Sequence, residues 1–113
     1  MTNNEQTLSQ EPRQAMQDML TITEELMARI EMETAALAQN DGTAFSMNEP
    51  DKEHVASIYD KAAAEFHGRL AEFQNVDSAL MNKLQEANAS LRQSMSNNVR
   101  LLEKVDAKNK KAN

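Results

Sequence analysis

Cysteine and tryptophan are absent from this chain, and glycine and proline occur only twice each. Without cysteine there is neither a disulfide nor a thiolate metal site, which suits a reducing compartment. Aromatic residues make up 4% of the chain, too few for a large aromatic core. No apolar run approaches the roughly 20 residues needed to span a bilayer. The opening "MTNNEQTLSQEP" lacks the basic-then-apolar order of a signal peptide. These absences lead us to expect a cytoplasmic protein with no membrane span.

What is plentiful is Ala, Leu, Met, Gln, Glu and Asn, the composition of amphipathic helices rather than of a sheet. A chain of 113 residues makes one thin domain. The net charge of −6 is unevenly spread. Residues 11–39 carry six acids against Arg13 and Arg29, whereas residues 100–113 carry five bases against Glu103 and Asp106. An acidic domain without a basic face argues against nucleic acid as a partner. The basic end reads as a solvated tail beside the negative end of a helix.

The pattern predicts three helices after a disordered N-terminus at 1–11. In the first, about 12–39, Pro12 suits the opening turn. Met16, Met19, Leu20, Leu26, Met27, Ile30 and Leu37 then recur at steps of three and four, with Thr23 and Thr34 on the same stripe. Asn40, Asp41 and Gly42 supply a stop signal. The segment "QNDGTAFSMNEP" reads as a connector with Phe45 and Met47 pinning it down. Asn48 would cap a second helix of about 49–74, with Pro50 in its first turn and Asp51 and Glu53 at its positive end.

In that helix Val55, Ile58, Tyr59, Ala62, Phe66, Leu70 and Phe73 keep the helical period, and Gly68 lies off the stripe. A weaker break at Asn75 to Asp77 either starts a third helix capped by Asp77 or kinks a continuous one. The third, about 77–107, has a seam of Leu80, Leu84, Ala87, Leu91, Met95, Val99, Leu102 and Val105, bordered by Asn88, Ser94 and Asn98. A basic tail follows at 108–113. The expected fold is all-α: an antiparallel helical hairpin or three-helix bundle with a long amphipathic C-terminal helix.

No catalytic constellation stands out. His54 and His67 are 13 residues apart on one helix, about 20 Å along its axis, and cannot share a metal ion. There is no HExxH and no pair of Glu-x-x-His motifs. Glu24, Glu25, Glu31 and Glu33 read as a solvated face, without the burial that would separate their pKa values for acid catalysis. Neither an enzyme nor a cofactor site is expected. Eight methionines are many for this length. Met16, Met19, Met27 and Met95 fit core filling, although methionine also suits adaptable binding surfaces. If the third helix outruns its neighbours, its far end exposes Leu101, Leu102 and Val105 as a docking element for a partner helix.

The stretch "ELMARIEMETAALAQNDGTAF…EPDKEHVASIY" resembles FlgN-type flagellar export chaperones. The residues carrying the likeness are Glu33, Leu37, Asp41, Gly42, Lys52, Glu53 and Tyr59, then Asn98, Leu101 and Leu102, within a match over most of residues 13–106. Pro50 departs from the family's pattern. The resemblance implies a non-enzymatic cytoplasmic chaperone. Its partners would be flagellar hook-associated (hook–filament junction) proteins, bound through their C-terminal helical segments and delivered to the type III export apparatus. It places client binding on Leu91, Met95, Val99, Leu102 and Val105, and Leu101 adjoins that surface. The alternative is a self-associating helical scaffold, a homodimer with Asn88 and Asn98 fixing its register.

Overall fold

A computed structural model describes residues 6–112, with side chains to residue 108; all but Lys108 of the basic tail expected at 108–113, and the first five residues of the expected disordered N-terminus, lie outside the described side chains. The described chain is all-α, with no strand. It contains α1 (Pro12–Ala38), α2 (Gly42–Gly68), the single turn α3 (Leu70–Phe73) and α4 (Ser78–Ala112). None of these helices is long and apolar enough to cross a membrane.

The start of α1 follows the expected chemistry. Pro12 occupies its first turn and the Glu11 carboxylate accepts from the backbone N–H groups of Arg13 and Gln14. Its end is decided by Asn40, which takes the left-handed conformation at φ 57°. The Asn40 N–H then donates to the Leu37 carbonyl at 3.1 Å and the Asp41 N–H to that of Ala36 at 2.8 Å. This is the paired closure by which a left-handed residue satisfies the last carbonyls of a helix. Gly42, expected to share that role, is instead the first residue of α2.

The second helix therefore starts seven residues before the expected position at 49. Asp41 caps it, accepting from the Ala44 N–H at 3.0 Å. Pro50 lies inside the helix, where its missing N–H removes one backbone hydrogen bond. Tertiary ties hold the two turns before it. Asn48, buried rather than capping, donates its amide to the Arg29 carbonyl at 2.9 Å and accepts from the Arg29 guanidinium at 3.4 Å. Phe45 is half-buried, whereas Met47 is exposed and pins nothing. The twelve-residue connector is thus a three-residue turn followed by helix.

Helix α2 ends at Arg69, whose φ of −116° and ψ of 17° leave the helical range, and α3 ends before Asn75, also left-handed at φ 63°. Asp77 caps α4, as expected, by accepting from the Leu80 N–H at 2.9 Å. That bond is the leading reason its carboxyl sits below the usual carboxylate range; the Arg13 guanidinium at 3.0 Å adds to it. The fourth helix continues to Ala112 rather than stopping near 107.

The described part of the segment before α1, where the sequence led us to expect disorder, packs against the helices. Leu8 is 2% exposed and packs into the core. The N–H groups of Thr7 and Leu8 donate to the Glu65 carboxylate, and Arg69 donates to the carbonyls of Ser9 and Gln10 at 2.9 and 3.1 Å. Arg69 also lies over the ring of Phe73, which stacks on Phe66 with centroids 4.5 Å apart. Leu8, Met16, Ala62, Phe73 and Leu80 close this end of the core.

Three interhelical bonds fix how α1 and α4 lie together. Arg13 pairs with Asp77, Glu31 accepts from Ser94, and Thr34 accepts from Asn98. The partners are 64, 63 and 64 residues apart, so the two helices run parallel in constant register. With α2 antiparallel across a short turn, the topology is up, down, up. Helix α1 packs closely along both α2 and α4, while the backbones of α2 and α4 stay further apart and the two helices meet through side chains. The result is a slab of helices measuring 55 × 32 × 18 Å.

Candidate functional site

A groove between α2 and α4 follows from that arrangement, with the middle stripe of α1 as its floor. It has two halves. The first, towards the Phe73 end, has a volume of about 360 Å³ and is lined by Met19, Thr23, Phe66, Leu70, Met81 and Leu84 among others. The second, towards the α1–α2 turn, has about 370 Å³ and is lined by Leu26, Ile30, Ala56, Asp60, Met95 and Val99 among others. Tyr59 borders both. Its hydroxyl donates to the Asn88 side-chain oxygen at 3.3 Å, bridging α2 to α4 at the waist. Burial raises the Tyr59 pKa, with Asp60 adding and Arg92 opposing, so both charges lie within electrostatic reach of the waist.

The six residues expected to bind a partner divide into three groups. Leu91 is 2% exposed and sits in a core cluster with Leu26 and Ile30, so in this conformation it offers no surface. Leu101 and Val105 are half-buried. Met95, Val99 and Leu102 are exposed, at 47%, 52% and 36%, and form a continuous apolar strip. Met95 is therefore not core filler, unlike Met16 and Met19. The residues turned inward along this part of α4 are the polar Ser94 and Asn98, each 8% exposed and bonded to α1. Those polar contacts roll α4 so that its apolar strip faces outward, beside the second half of the groove.

Sequence reasoning missed the α2 wall of this site, because Tyr59 and Phe66 read simply as a core stripe and Ala63, beside them in the groove, lay outside that stripe. It also placed Glu33 on a solvated face. Glu33 is 1% exposed, and Lys52 donates to its carboxylate and, at 3.2 Å, to that of Glu49. Burial alone would lower the Lys52 pKa, but the two carboxylates outweigh it and raise the value. Asn88 and Asn98, candidates for setting a dimer's register, make intramolecular bonds. Among the described residues no buried side-chain nitrogen or oxygen lacks a partner, and no three His, Asp or Glu side chains converge as metal ligands would.

No protein-family model matches the chain, and no curated protein or solved structure matches it significantly. The groove and the strip beside it form an elongated apolar surface with a few polar groups at its edges.

Proposed function

We propose that this chain is a protein-binding module that receives an amphipathic helical segment of another protein. The observation carrying this reading is the exposed strip of Met95, Val99 and Leu102 beside an apolar groove that none of the described helices fills. Burying such side chains is worth about 25 cal/mol per Å² of apolar surface, which offsets the cost of ordering a flexible segment. The resemblance to FlgN-type chaperones supplies the client class: C-terminal helical segments of flagellar hook-associated proteins, carried in the cytoplasm to the export apparatus.

The test uses Val99→Asp with Leu102→Asp. Both positions are exposed, so helicity by circular dichroism should be retained. Binding of hook-associated C-terminal peptides, followed by fluorescence anisotropy, should fall at least about tenfold. Undiminished binding by the folded double variant would remove the strip from the site. A concentration-dependent dimer in sedimentation, dissociated by the same substitutions, would favour the self-associating scaffold.

A further inference from the structure

The groove has the geometry of a four-helix bundle with one corner vacant. Helix α1 neighbours both α2 and α4, while those two are held further apart and meet only through side chains such as Tyr59 and Asn88. Packed helices lie about 8–10 Å apart, so a pair held further apart leaves space into which one more helix, roughly 10 Å across, can settle. Its two rims carry opposite charge. On the α2 side Asp60 lines the groove and Glu53 lies two turns earlier, both exposed. Lys52, on the same side, is engaged by Glu33 and Glu49. On the α4 side Arg92 and Arg100 border the Met95–Val99 strip, with Glu103 beside them. None of the ion pairs among the described residues uses Asp60, Glu53, Arg92 or Arg100.

Building on the helix-binding reading, we infer that the occupant of this vacant corner is a single amphipathic helix carrying basic side chains on the flank facing α2 and acidic side chains on the flank facing α4. A second copy of the chain does not fit these observations. The three half-exposed side chains of the strip offer at most about a few hundred Å², against roughly 800 Å² per partner in a standard interface. A slender helix with divided charge does not depend on the strip alone. It reaches the groove walls as well as the strip, and meets each rim with its opposite sign.

The test compares three labelled 20-residue peptides with one shared apolar face: Lys on one flank and Glu on the other, Lys on both, and Glu on both. At low salt the mixed peptide should bind about fivefold to tenfold more tightly than either uniform one. Asp60→Lys should shift the preference to the all-Glu peptide and Arg92→Glu to the all-Lys peptide. Equal binding of all three, or a ranking unmoved by the charge swaps, would overturn the inference. If hook-associated peptides still bind in a manner sensitive to Val99→Asp, the helix-binding reading survives that outcome. If no peptide binds and the chain dimerises through the strip, both fail.

Discussion

Glu33 is the residue whose environment departs furthest from its chemistry. A carboxylate 1% exposed is costly unless it is paired, and Lys52 supplies the pairing from α2. Removing the cation alone should therefore cost more than removing the pair. Lys52→Met is expected to lower unfolding free energy by about 3 kcal/mol, and Glu33→Met with Lys52→Met to recover most of that loss. Urea denaturation of the two variants checks this, and equal losses would contradict it. The pH dependence has a definite sign. The folded-state pKa of Lys52 lies above its ordinary 10.5. The pair's contribution is thus complete below that value and disappears as pH rises through the folded one. The wild type should lose stability above pH about 10.5, and Lys52→Met should lack that part of the loss. Tyr59 is raised in the same region by its burial, so it is kept in both proteins.

At the scale of elements, the helix ends test what local signals can decide. Gly68 has a helical backbone, and a Cβ there would meet no atom within 4 Å. Gly68→Ala should raise stability by about 0.5–1 kcal/mol, read as a shifted urea midpoint with an unchanged slope. Leu8→Ala removes a nearly sealed side chain from the end of the core and should cost about 2–4 kcal/mol. A smaller loss than about 1 kcal/mol would mean that the segment before α1 is not a stable part of the fold. The elements themselves were legible in the sequence: the α1 stripe, the Pro12 start and the Asp77 cap all rest on local chemistry. The start of α2 was not, because Asn48 and Pro50 carry the local signature of a helix opening. Contacts from Arg29, nineteen residues earlier, keep the preceding turns helical. The candidate site was legible only as a stripe on α4. Periodicity could not show that buried Ser94 and Asn98 would turn Met95 and Val99 outward, since that depends on Glu31 and Thr34 across the interface.

On the scale of the whole molecule, the register between α1 and α4 determines where support for the long helix ends. With partners offset by 64 residues, Leu102 is level with Ala38, the last residue of α1. Residues 103–112 run on past the α1–α2 turn for about 15 Å at 1.5 Å per residue. A single helix of ten residues has little stability of its own in water. Its amides should therefore open by local fraying, whereas those near Leu84 and Leu91, packed into the two core clusters, should open only with the whole fold. Hydrogen exchange is expected to show protection falling steeply between Asn98 and Lys104. A helical partner in the groove should then slow exchange around Met95, Val99 and Leu102, and in the facing part of α2 around Ala56 and Tyr59, while leaving the amides beyond Asp106 fast. Slow exchange throughout 103–112 in the free protein would mean that the projecting end is already covered. Added protection confined to that end, with none in α2, would place the partner on the tip of α4 instead of in the vacant corner.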